Sequence, residues 1–176
     1  MSRIPLKRIE DMSPVQREQY DRFPSNLSRA LLLTDGRVAG ALSNLANAFR
    51  ASGLDPKLRE GVILRVVAHS GSAYERMQHL EQAEKTGWIA SETAAIEAGQ
   101  APALPARFTA VMAFVDACVA APRVPDDAFE AAAAVLSHGD LITVILLVGH
   151  YMMVARLLAT LDVELDPVPD SWASEH

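Results

Sequence analysis

The sequence predicts an all-α protein, and three observations support this class. Apolar residues recur at spacings of three and four, no run of alternating polar and apolar residues is long enough for a β-strand, and residues typical of helix ends bound the apolar stretches. We expect about seven to eight helices. The length of 176 residues is suited to one domain, 1–176, in which residues 1–35 form an N-terminal arm.

The composition indicates a folded globular protein and disfavours several partners. Hydrophobic residues make up 50% of the chain and charged residues 22%, which is ordinary for a protein with a packed core. The net charge of -6, without a cluster of Lys and Arg on any predicted helix, argues against a nucleic-acid partner and against an anionic membrane surface.

The cysteine count and the N-terminal residues predict a cytoplasmic protein. One cysteine cannot form an internal disulfide, and the N-terminal stretch MSRIPLKRIEDMSP lacks the continuous apolar region of a signal peptide. Cys118 lies in a helical pattern beside Phe114, Val115 and Val119. This setting favours a small buried hydrophobic residue over a reactive thiol.

Two helices are predicted before the centre of the chain. Ser13-Pro-Val-Gln16 fits a capping box and predicts a short helix to about Phe23. After a short apolar segment at 27–33, Asp35 can cap a helix that runs to Arg50. The apolar stripe of this second helix consists of Val38, Leu42, Leu45, Ala46 and Phe49.

The two helices at the centre of the chain carry the residues on which chemistry is expected. Asp55, Pro56 and Gly71 predict the ends of the first, and Ser72 and Gly87 those of the second. In the first helix, Glu60 shares a face with the aliphatic residues Ile63, Leu64 and Val67. We therefore expect Glu60 to be buried and to need a partner or a proton.

In the second helix, Ser72, Glu75 and His79 lie on one face and bring together a hydroxyl, a carboxylate and an imidazole. Two structural interpretations compete with a functional one. Ser72 and Glu75 also fit a capping box, and Glu75 and His79 could form a surface pair four residues apart. The spacing alone leaves these alternatives open.

Four helices are predicted in the second half of the chain, at 91–98, 105–120, 126–138 and 140–161. The last is apolar enough to be considered as a membrane span. Arg156 and His150 inside it and its acidic flanks favour instead a helix buried on nearly all sides. Because the helix around Glu60 is also apolar nearly all round, we expect a homo-oligomer.

The central pair resembles the carboxymuconolactone decarboxylase and AhpD-like alkylhydroperoxidase superfamily. The resemblance is carried by Leu58-Arg-Glu-Gly-Val-Ile-Leu64, Tyr74-Glu-Arg-Met-Gln-His79, Ala83 and Gly87. The peroxidase branch has Glu, eleven residues, Cys, two residues, Cys, three residues and His; this chain has Glu60, Ser72, Glu75 and His79 at those positions. The decarboxylase branch carries Glu-x-x-x-His, which Glu75 and His79 match, but lacks a carboxylate at the place of Glu60.

The resemblance implies an AhpD-like helical fold, assembly into trimers or their multiples, and proton-transfer or decarboxylation chemistry on a small carboxylated ring compound. Glu60, Glu75 and His79 are the candidate catalytic residues, with His79 as general acid or base. The candidate substrate-binding residues are Ser72, Tyr74, His150, Tyr151 and Arg65, and Arg65 or Arg156 could anchor a carboxylate.

No cofactor is expected, and a metal is not favoured because Glu-x-x-x-His supplies only two ligands from one helix. Thiol peroxidase activity is not expected either, since Ser72 and Glu75 cannot replace a pair of thiols. The alternative hypothesis is a family member that has lost redox catalysis and acts as a small-ligand-binding or structural helical oligomer.

Overall fold

Nine α-helices make up the part of the chain that the structure describes. The computed structural model describes residues 2–167, and these contain no β-strand. The helices are α1 (Pro14–Arg22), α2 (Asn26–Leu31), α3 (Gly36–Ala51), α4 (Pro56–Ser70), α5 (Ala73–Lys85), α6 (Ala90–Ala98), α7 (Ala106–Ala120), α8 (Asp126–Ala133) and α9 (His138–Leu161). Eight of the nine have seven or more residues, so the all-α class and the expected number of helices are confirmed.

Helix α4 is the central element of the fold. It packs against α5, α6, α7 and α9, and its apolar side chains are almost completely buried. Burial of one such side chain contributes roughly 1.5–3 kcal/mol, so α4 supplies a large share of the hydrophobic stabilisation. Its buried apolar residues are Leu58, Val62, Ile63, Leu64, Val66 and Val67.

The predicted capping residues define the ends of the first helices and of the central pair. Ser13 forms a reciprocal capping box with Gln16 at the start of α1. The carboxylates of Asp35 and Asp55 accept hydrogen bonds from backbone N–H groups two residues further on, at 2.9 and 3.0 Å. Gly71 ends α4 in the left-handed conformation, with φ of 64°, which favours glycine.

Three predicted helix boundaries are wrong. Helix α8 ends at Ala133 instead of His138, and α9 begins at His138 because the Ser137 hydroxyl caps it, accepting the N–H of Asp140 at 3.1 Å. Helix α6 begins one residue early, at Ala90. The carboxylate of Glu92 accepts the N–H of Ile89 there, so Ser91 is not needed as the cap.

Helix α9 has one buried and one exposed face, which corrects the expectation of burial on nearly all sides. The buried face packs against α4 and α7. Ile142, Ile145, Leu146 and Met153 form an exposed apolar stripe, with 44–58% of each residue accessible to solvent. Within residues 2–167, only α9 is long and apolar enough to cross a membrane, and half of its most apolar window is buried in the protein, as in a core helix.

Gly61 allows α4 to approach the indole ring of Trp88. A methyl group added at Gly61 would lie 2.7 Å from Cζ2 of Trp88. The ring cannot easily move, because it is buried and its N–H donates to the carbonyl of Lys57 at 2.7 Å. We expect Gly61→Ala to lower the free energy of unfolding by about 1–3 kcal/mol, measured by urea denaturation.

The matched control is Gly139→Ala near the start of α9. There the added methyl group would meet only the Ser137 hydroxyl oxygen, at an ordinary 3.8 Å. This control should change the free energy of unfolding by less than about 1 kcal/mol. Equal stabilities of Gly61→Ala and the unmodified protein would contradict the close contact.

Candidate active site

A cavity of about 710 Å³ lies between the N-terminal helices α1–α3 and the pair α5 and α9. Helix α5 contributes Tyr74, Glu75, Gln78 and His79 to its wall, and α9 contributes His150, Tyr151 and Val154. The opposite wall comes from α1 to α3 and includes Gln19, Phe23, Leu31, Leu42, Asn47 and Arg50. The volume is sufficient for a small organic ligand.

Glu60 and His79 form a buried hydrogen-bonded pair where α4 meets α5. Nδ1 of His79 lies 2.9 Å from Oε2 of Glu60, and Nε of Arg59 donates to Oε1 of Glu60 at 3.0 Å. Burial alone would raise the pKa of the Glu60 carboxyl, but His79 and Arg59 favour the ionised form and hold that pKa below its ordinary value. The expected burial of Glu60, only 3% exposed, is confirmed.

An ionised Glu60 also determines the tautomer of His79. A carboxylate can only accept hydrogen bonds, so the proton of the Glu60–His79 bond belongs to Nδ1 of the imidazole. Nε2 is then the ring nitrogen through which His79 can exchange a proton with a ligand.

Glu75 has the opposite environment to Glu60. It is only 3% exposed, and neither of its carboxyl oxygens has a hydrogen-bond partner among the described residues. Burial raises the pKa of Glu75 to about 8, and the nearby Ser72 hydroxyl offsets only part of this effect. Glu75 therefore holds a proton at neutral pH.

Neither structural interpretation of the motif, the capping box or the surface pair, holds in full. The Ser72 hydroxyl accepts the N–H of Glu75 at 3.3 Å, but Glu75 does not return a hydrogen bond, so only half of the capping box is present. Glu75 and His79 are not a surface pair, because both are buried and His79 bonds to Glu60.

His150 and Tyr151 of α9 face the same cluster. The ring of Tyr151 packs edge-on against that of His79, with centroids 5.0 Å apart, and the ring of His150 packs similarly against Phe49 at 5.5 Å. Burial, with a smaller effect of the neighbouring His79, lowers the pKa of His150 to about 4. Burial also raises the pKa of Tyr151, so both side chains are neutral near pH 7.

The buried polar atoms without a partner are concentrated at this cavity. Among the described residues, the buried side-chain atoms that lack a hydrogen bond belong to Gln19, Glu75 and His150, and all three residues line the cavity. An unsatisfied buried polar group costs roughly 1–3 kcal/mol. Their concentration in one cavity indicates a site whose polar atoms are completed by a ligand or by water.

The remaining candidate residues are placed differently. Ser72 caps α5 and is not part of the cavity wall. The ring of Tyr74 lines the cavity, but its hydroxyl is engaged by Asp166 and by the N–H of Leu27. These contacts leave Ser72 and the Tyr74 hydroxyl with structural roles.

The two arginines proposed as carboxylate anchors lie away from the cavity. Arg65 donates to Asp116 at 2.5 Å and to the carbonyl of Ile96 at 2.9 Å. Arg156 is exposed and donates to the carbonyl of Met152, one turn earlier in α9. Neither arginine lines the cavity, so neither is placed to bind a substrate there.

Sequence reasoning missed Arg50, which lines the cavity from the last turn of α3. The helical spacing could have indicated it, because Arg50 follows Leu42 and Ala46 at intervals of four on the same face of α3. Both of those residues also line the cavity. An arginine at the end of an apolar stripe can carry its charge to a buried site along the hydrocarbon part of its side chain.

Neither metal nor thiol ligands are gathered at the site. Within the described part of the chain, no group of three or more His, Cys, Asp or Glu side chains is arranged to hold a metal ion. Cys118 lies on α7 and does not line the cavity, and burial raises the pKa of its thiol. A thiolate is therefore disfavoured at Cys118.

Comparison with known proteins identifies the fold. No protein-family model matches the chain, and no curated protein matches it significantly. Among solved structures, an uncharacterised peroxidase-related protein from Ralstonia eutropha JMP134, described as an alkylhydroperoxidase AhpD core, has a TM-score of 0.80 and 16% identity; the match covers 94% of this chain and 93% of that one. The chain adopts the AhpD-like fold.

Two further structures with the AhpD-like fold are similar. A cysteine-to-alanine variant of the debrominase Bmp8, in complex with 2,3,4-tribromopyrrole, has a TM-score of 0.75 and 16% identity over 99% of both chains. A protein of unknown function from Agrobacterium tumefaciens, with a suggested role in antioxidant defence as AhpD, has a TM-score of 0.67 and 22% identity over 72% of this chain and 89% of that one. The resemblance stated from the central motif is confirmed at the level of the fold.

The raised pKa of Glu75 predicts how stability depends on pH. Between about pH 4.5 and pH 8 the folded protein retains a proton on Glu75 that the unfolded chain releases, so the free energy of unfolding should fall as pH rises through this range and level off above it. Glu75→Gln keeps the shape of the neutral acid without titrating. Its melting temperature should fall less than that of the unmodified protein between pH 5 and pH 8, measured by calorimetry.

The control for this prediction is Glu81→Gln, which changes a more exposed glutamate on the same helix. Glu81→Gln should follow the pH dependence of the unmodified protein. Identical pH profiles for Glu75→Gln and Glu81→Gln would show that Glu75 titrates as an ordinary exposed carboxyl.

Proposed function

We propose that this chain is a carboxymuconolactone decarboxylase-like enzyme that transfers protons in the decarboxylation of a small carboxylated ring compound. The observation that supports this best is a protonated, unpartnered Glu75 in the same cavity wall as His79, whose ring is oriented by Glu60. A neutral acid and an oriented imidazole at one cavity are the groups that acid–base catalysis requires.

In the proposed reaction, Arg50 binds a carboxylate of the substrate in place of the arginines suggested by the sequence. The bond between the ring carbon and the departing carboxylate breaks, CO₂ leaves, and the electron pair remains on the ring, where a conjugated carbonyl group accepts it. Glu75 donates its proton to the carbon that lost CO₂ and becomes a carboxylate. Solvent then returns a proton to Glu75.

His79 has the complementary role of moving a proton at a substrate oxygen. The bond to Glu60 keeps the proton on Nδ1, so Nε2 acts as base and takes the proton of the departing carboxyl group before the carbon–carbon bond breaks. The carboxylate of Glu60 stabilises the imidazolium that forms, and the imidazolium releases this proton to solvent after CO₂ has left. The neutral side chains of His150 and Tyr151 form part of the cavity wall that would contact the substrate ring. Because this part of the wall carries no charge, it does not stabilise the departing carboxylate and so favours its release as neutral CO₂.

The similar structures support a ring-binding site but not the same chemistry. The debrominase Bmp8 is described with a bound tribromopyrrole, which is a small ring compound. We do not extend debromination or peroxide reduction to this chain, because its single cysteine lies on α7 and a thiol cycle needs a second thiol.

The proposal is tested by incubating the purified protein with γ-lactone carboxylic acids and β-keto acids and measuring CO₂ release. His79→Ala should lower kcat/KM by about 10²–10⁴, the usual contribution of general acid–base catalysis. The matched control is His69→Ala on α4, since His69 bonds to Asp116 outside the cavity. Cys118→Ser should leave activity unchanged.

The alternative is a small-ligand-binding helical oligomer without catalysis, in which the same unpartnered groups only bind. Inactivity toward every acid tested, with His79→Ala lowering stability alone, would favour this alternative. Peroxide reduction that depends on Cys118 would contradict both hypotheses.

We also propose that the chain forms homo-oligomers in the cytoplasm and that the exposed apolar stripe of α9 contacts a second copy. The 24 residues of α9 span about 36 Å, and the stripe carries no charged residue between Ile142 and Met153. Apolar surface of this extent is typical of an interface between subunits. The resemblance suggests trimers or their multiples.

Light scattering at about micromolar concentration should therefore give a multiple of 19.0 kDa. Leu146→Glu should reduce the mass by placing a charge in the stripe. The matched control, Val15→Glu, changes a similarly exposed apolar residue on α1 and should not alter the mass. A monomeric unmodified protein would refute the proposal.

A further inference from the structure

The segment that follows α9 packs against α2 and α5. After α9 the chain turns at Asp162, which has a left-handed conformation, and Val163 is buried against residues of α2, α5 and α9. The tail segment Val163–Pro167 then passes α2, where the side-chain amide of Asn26 donates to the carbonyls of Glu164 and Leu165 at 3.1 and 3.3 Å. The tail segment is thus held by specific hydrogen bonds.

Asp166 of the tail segment joins three groups from two different helices. Its Oδ1 accepts the backbone N–H of Asn26, at the start of α2, at 2.8 Å. Its Oδ2 accepts both the side-chain amide of Gln78 at 2.9 Å and the hydroxyl of Tyr74. All three groups donate to the two oxygens of Asp166, and a carboxylate can accept on both oxygens without bringing a donor of its own.

The two residues of α5 that Asp166 holds are neighbours of the proposed catalytic residues. Tyr74 and Gln78 are four residues apart, and each directly precedes a proposed catalytic residue, Glu75 or His79. All four side chains are buried and line the cavity. A rotation of α5 about its axis would move the four together, because side chains on one helix turn with its backbone.

We infer that Asp166 is a positioning residue of the candidate active site, which sets the rotation of α5 and so directs Glu75 and His79 into the cavity. This inference rests on the proposed function for the importance of those two residues. The tail segment, which lies outside the central motif, would thus contribute to the site. Asp166 does not line the cavity and acts only through α5 and α2.

The inference is tested with Asp166→Asn, which keeps the size of the side chain but must direct an N–H₂ group at one of the three donors. Two readouts report on the site without turnover: the titration of the Glu75 carboxyl and the ring resonances of His79, followed by NMR with Glu75→Gln and His79→Ala for assignment. The other ionisable groups that line the cavity with Glu75 are Arg22, Arg50, Tyr74, His79, His150 and Tyr151. Glu60 and Arg59 lie behind this wall and act on Tyr151.

In Asp166→Asn we expect the titration midpoint of Glu75 to fall by about one pH unit or more, because a rotated α5 exposes Glu75 to water. The ring resonances of His79 should shift in the same variant. Asp162→Asn is the matched control, since it makes the same change in the exposed turn before the tail segment, where asparagine tolerates a left-handed backbone. It should alter neither readout.

A second control separates positioning from loss of stability. Val111→Ala removes core volume on α7, where Val111 is fully buried away from the cavity, and should lower stability without moving the Glu75 midpoint. If Asp166→Asn does not fold, Tyr74→Phe removes one of the same bonds and should shift the same readouts. Folded Asp166→Asn with an unchanged midpoint and unchanged His79 resonances would overturn the inference, whereas absence of enzyme activity would refute only the proposed function.

Discussion

The buried hydrogen bond between Glu60 and His79 is the constraint on which the candidate site depends. A carboxylate on the central helix would ordinarily be excluded from the core or neutralised, because burial of an unpaired charge is costly. Here the ring of His79 and the guanidinium of Arg59 each contact one of its oxygens. Removal of one partner from such a buried pair typically costs about 3–5 kcal/mol, so α4 and α5 are held in one relative arrangement. The same bond assigns the proton to Nδ1 of His79.

Two carboxyl groups in this region differ in charge because their neighbours differ. Glu60 has a nitrogen donor on each oxygen and is ionised, whereas neither carboxyl oxygen of Glu75 has a hydrogen-bond partner among the described residues and Glu75 keeps its proton. Separation of the pKa values of paired titratable groups is characteristic of acid–base sites. His150 lines the same cavity and is neutral, so it adds no positive charge that would favour the ionised form of Glu75.

Local sequence patterns predicted most of the fold, because helix caps and apolar periodicity act over a few residues. The burial of Glu60 followed from its aliphatic neighbours, and Gly71 and the capping box at Ser13 set helix ends as expected. The pairing of Glu60 with His79 could not be derived from spacing, since it depends on how α4 and α5 pack. The sequence also could not show that Arg50 and not Arg65 lines the cavity. Both arginines lie on helices beside apolar residues, and only tertiary contacts distinguish them.

A shared fold does not imply shared chemistry, and the first turn of α5 shows why in this chain. The peroxidase pattern of the resembled superfamily has cysteines at the positions of Ser72 and Glu75. A helix N-terminus lowers the pKa of a thiol and favours a nucleophilic thiolate. A carboxyl in the same turn experiences the same helix dipole, yet burial outweighs both the dipole and the nearby Ser72 hydroxyl and raises the pKa of Glu75 instead. Where the resembled pattern has a nucleophilic cysteine, this chain therefore has a protonated carboxyl group. This difference leaves the Glu60–His79 pair intact, because that pair depends on the packing of α4 against α5 and not on the side chain at position 75.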